Sequence, residues 1–208
     1  MSKRLITELL ENARKPMAPR LLAFDPTPAG LVGNRSLRLA FKGEWARIRA
    51  RHLKENEAAC MLCRTAKPSN KIDAHEIYSF PTPEIVRLER LLFVCKNCHD
   101  AIHLERTRVH CSPGYIRFIE EHYCNINNVS EIDRNSDYKN TIQLSFAIRE
   151  FYGGGGATPT LEFGPYQGGV DATLKRRRKI PEGDGDDDDS DFEMYPNHEC
   201  PSDIGHAD

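Results

Sequence analysis

Two Cys-x-x-Cys pairs constrain the fold of this chain more than any other feature of its sequence. The first pair is Cys60 and Cys63, and the second is Cys95 and Cys98. Each short turn can aim both of its sulfurs at one ion, so four thiolates with this spacing predict a single tetrahedral Zn²⁺ site. We therefore expect a small domain that is held together by structural zinc.

Chain length and cysteine usage place this zinc domain in a reducing environment. The 208 residues have room for one compact domain with tails. The N-terminal stretch predicts an amphipathic helix at 2–15 rather than an export signal, because it carries Glu8 and Glu11, and no apolar run is long enough to span a bilayer. Seven cysteines then favour metal binding over a secreted disulfide scaffold. The expected location is the cytoplasm, with the nucleus as the alternative for a eukaryotic or viral protein.

The charges are divided unequally along the chain. Residues 1–128 contain 21 Lys or Arg and 14 Asp or Glu, whereas residues 129–208 contain 8 and 17. A basic globular part followed by an acidic tail is typical of nucleic-acid binders, although many unrelated proteins share it. The acidic tail is also a candidate site for a protein partner. The basic run 175–179 is interpreted as an import signal, a DNA-contacting arm or a solvated charge run.

Composition and periodicity predict four regions and a mixed α+β fold. The regions are an N-terminal helix and linker (1–35), a main domain (36–128), a short extension (129–152) and a disordered Gly-rich then acidic tail (153–208). The predicted elements are, in order, the helix at 2–15, a helix at 36–57, a strand at 71–78, a helix from 97 or 98, a helix at 115–123 and a last element within 141–152.

The predicted helix at 36–57 has a basic face. Its simplest interpretation is an amphipathic helix that buries Trp45 and Ile48 and exposes its cations to solvent. The alternative is that these cations also contact a phosphate backbone. The residues concerned are Arg47, Arg49, Arg51 and Lys54.

Three histidines around the second cysteine pair suggest chemistry beyond a structural role. His99 and His103 are four residues apart, so on a helix they lie on one face and can hold one divalent cation. His75 lies on the preceding predicted strand and can face that cation as a general base. Hydrolysis of a phosphodiester bond needs such a base and such a cation.

These residues resemble the HNH (His-Me finger) endonucleases. The similarity covers roughly residues 40–128, and its specific part is a Cys-x-x-Cys-His-x-x-x-His segment with an upstream His-Glu. It is carried by Trp45-Ala46-Arg47-Ile48-Arg49, His75-Glu76-Ile77-Tyr78, the segment from Leu92 to His103 and, less specifically, His122-Tyr123-Cys124-Asn125-Ile126-Asn127.

The resemblance implies a ββα-metal core stabilised by structural zinc and flanked by helices. It makes Cys60, Cys63, Cys95 and Cys98 the zinc ligands. It also makes His75 the general base and places His99 and His103 at a catalytic Mg²⁺, Mn²⁺ or similar ion. His103 is the firmer ligand, because the position of His99 also serves to orient the strand in this family.

The chain departs from the family pattern at Ala74, where many members have a metal-binding Asp or His. Asp73 or Glu76 is a candidate for the missing carboxylate, and strand alternation puts Asp73 on the same face as His75. In an alternative register, His75 is the ligand and Glu76 is the base.

The sequence thus predicts a metal-dependent endonuclease that hydrolyses DNA, expected to be double-stranded, with a phage or mobile element as a plausible origin. The main alternative is a zinc-stabilised module of the same fold that has lost turnover and binds DNA or a protein partner. A second alternative is a nuclease directed at RNA. No membrane association is expected.

Overall fold

Two long strands form an antiparallel hairpin that positions the rest of the described structure. Strand β1 (Ile72–Thr82) pairs with β2 (Ile85–Cys95), and a short strand β3 (Thr160–Glu162) runs parallel to β2 on its other side. The apolar β2 is buried continuously from Leu91 to Cys95. The register pairs Ile72 with Cys95, so the second cysteine pair emerges where β1 begins.

Helices precede and follow this hairpin in the sequence. The computed structural model describes residues 20–27, 31, 37–40, 42–55, 57–68, 71–82, 85–153 and 160–162. The helices are α1 (Leu37–Ala40), α2 (Lys42–Glu55), α3 (Lys96–Ile102), α4 (Leu104–His110), α5 (Pro113–Asn127) and α6 (Glu131–Gly153). None of these helices has the length and apolar character needed to cross a membrane. The mixed α+β class expected from the sequence is confirmed.

The predicted elements are present, but their limits differ. The predicted helix at 36–57 is found as α1 and α2, and the predicted strand at 71–78 continues to Thr82. The helix predicted from 97 or 98 begins at Lys96, and α5 and α6 are longer than predicted. Side chains cap the first turns of α5 and α6. Ser112 accepts a hydrogen bond from Tyr115 N–H at the start of α5, and Ser130 with Asp133 forms a reciprocal cap at the start of α6. The predicted helix at 2–15 lies outside the described residues.

The main core includes a segment that the sequence predicts to be part of a linker. Leu22 and Phe24 are buried in the same cluster as Phe93 of β2. Phe24 stacks on Tyr123 with ring centroids 4.2 Å apart, and Asn127 exchanges two hydrogen bonds with the backbone of Leu22. The predicted boundary at residue 36 therefore does not divide the core.

A second, smaller apolar cluster lies near the far end of the hairpin. Val86 of β2 packs there with Ile148 and Tyr152 of α6 and with Leu161 of β3. The prediction of disorder from residue 153 onward is therefore wrong for β3, whose three residues are too few to give a periodic signal. Residues 154–159 and 163–208, including the acidic run and the basic run at 175–179, lie outside the described residues.

Candidate metal centres

The four cysteines of the two pairs form one cluster. Their Sγ atoms all lie within 4.8 Å of one another, and those of Cys63 and Cys95 are 3.7 Å apart. The first pair reaches the second because Met61 N–H donates to the carbonyl of Phe93, which fixes the turn against β2. The second pair spans the junction where β2 ends and α3 begins. This is a cluster that can bind zinc, as the spacing predicts.

Electrostatics within the cysteine cluster favours a bound cation. Hydrogen bonds from Cys95 and Cys98 lower the pKa of Cys60, so this thiol ionises first. The hydrogen bond with Cys60 in turn raises the pKa of Cys95 to about 11. One thiolate therefore opposes ionisation of its neighbour, and a divalent cation removes that repulsion by accepting several thiolates at once.

His122 contacts the cysteine cluster, which the sequence did not indicate. Its Nε2 lies 3.2 Å from the Sγ of Cys98. Groups that hydrogen-bond metal-ligating atoms orient those ligands and tune their basicity. In the sequence His122 belongs only to the less specific part of the resemblance, because a histidine in the middle of α5 carries no ligand spacing.

A second cluster consists of the three histidines singled out in the sequence. One ring nitrogen from each of His75, His99 and His103 lies within 4.8 Å of the others, and such a group can hold a metal ion. His75 comes from β1, His99 from α3 and His103 from the residue that joins α3 to α4. The ring centroids are 4.8–5.6 Å apart.

The helix that carries the last two histidines is interrupted at His103. The sequence predicts one helix through this position, but α3 ends at Ile102 and His103 has φ −97° and ψ 44°. The hydrogen bonds from His103 N–H to His99 and from Thr107 N–H to His103 preserve the i to i−4 pattern across the junction. His99 and His103 therefore keep the spacing of one turn despite the break.

His75 is the most enclosed member of the histidine cluster. Its side chain is 4% exposed, and its buried Nε2 has no hydrogen-bond partner among the described residues. Burial, followed by the positive charges of His99 and Arg106, lowers its pKa to about 3. The imidazole is therefore neutral near pH 7. One of its ring nitrogens is then unprotonated and can donate its lone pair to a metal ion, as a ligand must.

The two carboxylates proposed from the sequence lie in different surroundings. Asp73, 53% exposed, places its Oδ2 3.3 Å from Nδ1 of His99. Glu76 is turned to α1, where it accepts hydrogen bonds from Leu37 N–H and from the hydroxyl of Tyr78. Burial raises the pKa of Glu76. The structure therefore brings Asp73 to the histidine cluster and gives Glu76 a structural contact.

A third carboxylate, missed in the sequence, does reach the histidines. Asp25 Oδ2 lies 4.0 Å from His75 Nε2 and 3.8 Å from His103 Nδ1. Asp25 belongs to a proline-rich segment that the sequence places in a linker. Its neighbours Pro26 and Thr27 signal a turn, but no local pattern connects that turn with a site fifty residues later.

The four basic residues of α2 are not equivalent. Arg47 and Lys54 are exposed. Arg49 donates to the backbone carbonyl of Ile72 at the start of β1, and Arg51 pairs with Glu55 one turn later. On the inner side of α2, Ile48 is buried and His52 stacks on Phe93. The predicted amphipathic helix is confirmed for Ile48, whereas Trp45 is only partly buried against the core. Arg47 and Lys54 present their charges to solvent.

Known proteins give no further guide to this arrangement. A scan against protein-family models and searches of curated proteins and of solved structures found no match to this chain. The two adjacent clusters of ligating side chains are therefore the features from which a function can be inferred.

Proposed function

We propose that this protein is a metal-dependent endonuclease that hydrolyses phosphodiester bonds in DNA. The observation that carries the proposal is the meeting of His75, His99 and His103 beside the cysteine cluster. A strand, a cysteine turn and a helix supply the parts in the order in which the HNH endonucleases have them. A bound divalent cation would neutralise the charge that develops on the phosphate and on the leaving oxygen.

The chain's own residues fit such an ion. His75, His99 and His103 would hold it, since three neutral imidazoles suit a divalent transition metal and leave positions open for substrate. Asp73, next to Nδ1 of His99, would orient that ring so that Nε2 is presented to the ion. The enclosure of His75 Nε2, which has no hydrogen-bond partner among the described residues, favours the ligand role for this residue over the general-base role, and both roles require its neutral form.

DNA would be attracted first by charge. The exposed Arg47 and Lys54 lie on the outer side of α2, while the inner side packs on β2. Contacts of this kind neutralise phosphates without reading bases, so binding should weaken steeply with salt.

The alternative of a non-catalytic zinc module is favoured by two observations. Ala74 stands where a carboxylate or imidazole is common in the family, and Glu76, which the alternative register makes the base, is held at α1. Such a module would bind DNA or a protein partner without turnover.

Conversion of supercoiled plasmid tests the proposal. Wild type, with its zinc content verified as one per chain, should nick or linearise plasmid in Mg²⁺ or Mn²⁺. His75→Ala should reduce the rate at least about 100-fold, because it removes a group that contacts the ion or the attacking water. His110→Ala, a change at an exposed histidine of α4 outside the cluster, is the matched control and should cut normally.

Three results would speak against the proposal as stated. If wild type shifts the plasmid without cutting it under every metal condition, the non-catalytic module is the better description. Cutting that survives in His75→Ala would remove the histidine cluster from the reaction. Preferential cutting of an RNA competitor would move the substrate from DNA to RNA.

A further inference from the structure

Asp25 is held at the histidine cluster by its own backbone and side chain. Its N–H donates to the carbonyl of Ile102, the residue before His103, at 3.0 Å. Its Oδ1 accepts a hydrogen bond from Thr27 N–H at 2.8 Å. The second oxygen, Oδ2, is thereby directed to His75 and His103, and the side chain is only 14% exposed. The position of this carboxylate is therefore built into the fold.

The spacing between Asp25 and the two histidines suits shared ligation of an ion. At 3.8 and 4.0 Å, Oδ2 is too far from either nitrogen for a hydrogen bond. Two neighbouring ligand atoms bonded at about 2.0–2.2 Å to one ion lie about 3.0 Å apart at octahedral angles and about 3.4 Å apart at tetrahedral angles. A movement of about half an ångström to one ångström would bring these atoms to the spacing that bonds of this length require.

The surroundings of Asp25 also include a buried polar atom that lacks a hydrogen bond. Asp25 is largely buried, and next to it the Nε2 of His75 is buried and has no hydrogen-bond partner among the described residues. A divalent cation between these groups would compensate the buried carboxylate and satisfy the orphan nitrogen together.

We propose that Asp25 is the fourth protein ligand of the ion held by His75, His99 and His103. The segment 20–27 thus supplies the carboxylate ligand that is missing at the position of Ala74. Three imidazoles and one carboxylate form a donor set suited to a first-row divalent metal such as Zn²⁺, Mn²⁺ or Co²⁺, and a five- or six-coordinate ion held by them keeps a position open for substrate. The inference rests on the proposed role of the histidine cluster as a metal centre.

Affinity for Co²⁺, measured by titration calorimetry on the full chain with zinc already in the cysteine cluster, tests the assignment. Asp25→Asn keeps the acceptor for Thr27 N–H but loses the charge, and we expect it to weaken Co²⁺ binding at least about 10-fold. Glu105→Gln removes a charge from an exposed side chain two residues after His103 and serves as the control. It should change the affinity less than about 3-fold, because exposed charges are well screened.

A second variant separates ligation from mere proximity. In Asp25→Cys, a thiolate that binds Co²⁺ gives a sulfur-to-cobalt charge-transfer absorption. Wild type, whose cysteine cluster is filled by zinc, should not show this absorption for cobalt at the histidines. The band should appear on titration of Asp25→Cys and saturate at one Co²⁺ per chain.

The outcomes distinguish the two levels of the proposal. Wild-type affinity in Asp25→Asn, or the absence of the new band in Asp25→Cys, would overturn the assignment of Asp25 and leave the histidine centre in place. If zinc-loaded wild type binds no second divalent ion, both the histidine centre and the role of Asp25 are wrong.

Discussion

At the residue scale, burial determines the protonation of His75. The ring lies on the inner side of β1 with 4% of its side chain exposed, and its pKa falls to about 3. In the unfolded chain the same ring titrates near its ordinary value of 6.5. Between these two values the unfolded state binds a proton that the folded state does not, so acid favours unfolding.

Stability should therefore fall as the pH is lowered through 6.5. For His75 alone, the free energy of unfolding at pH 5.5 should be about 1 kcal/mol lower than at pH 6.5. Urea unfolding of zinc-loaded protein at both pH values, without other divalent ions, measures this difference. His75→Asn should have a pH dependence flatter by the same amount. Parallel pH profiles for the two proteins would contradict the assigned pKa shift.

The site residues that the sequence predicts lie close together along the chain. The one that it misses reaches the site from a distant part of the chain. Cys60 with Cys63, Cys95 with Cys98, and His99 with His103 are local pairs, whose geometry follows from turn and helix spacing. Asp25 reaches the site through a hydrogen bond to Ile102, a contact between distant parts of the chain. Its residue type alone, in a turn, gives no sign of that contact.

At the scale of elements, α2 has two faces with different surroundings. Its inner face buries Ile48 and stacks His52 on Phe93, and Arg49 ties the helix to the start of β1. Its outer face exposes Arg47. Sequence periodicity identified the basic side of this helix, but it could not show that Arg49 is engaged by Ile72, because that contact depends on where the hairpin lies.

Alanine substitution should separate the two faces of α2. Arg49→Ala removes a charged hydrogen-bond donor and should cost about 1–2 kcal/mol of unfolding free energy, or about 3–6 °C in Tm. Arg47→Ala should leave Tm within about 2 °C and lower the slope of log affinity for DNA against log salt by about 1. Thermal unfolding and DNA titrations at several salt concentrations measure both. Equal effects of the two variants on Tm would contradict the division of roles.

At the scale of the whole molecule, the two clusters depend on the same piece of chain. Cys98 and His99 are consecutive residues of α3, yet one belongs to the cysteine cluster and the other to the histidine cluster. The first cysteine turn is in turn fixed to β2, which is paired with the strand that carries His75. Zinc binding should therefore organise both sites.

Loss of one cysteine of the cluster should consequently disable the histidine site as well. Cys98→Ser should cost several kcal/mol, lower Tm by roughly 10 °C and abolish binding of a second divalent ion. Cys124→Ser, at a partly buried cysteine outside the cluster, should retain both metals. Metal analysis and calorimetry provide the measurement. Normal Co²⁺ binding by a zinc-free Cys98→Ser protein would show that the clusters are independent.

The nine residues from Cys95 to His103 set the distance and the rotation between the cysteine cluster and the helical histidines. Each residue added to a helix rotates everything after it by about 100° and advances it by about 1.5 Å. One insertion after Cys98 would leave all four sulfurs in place and turn both imidazoles away from His75. Length in this stretch is therefore as constrained as residue identity.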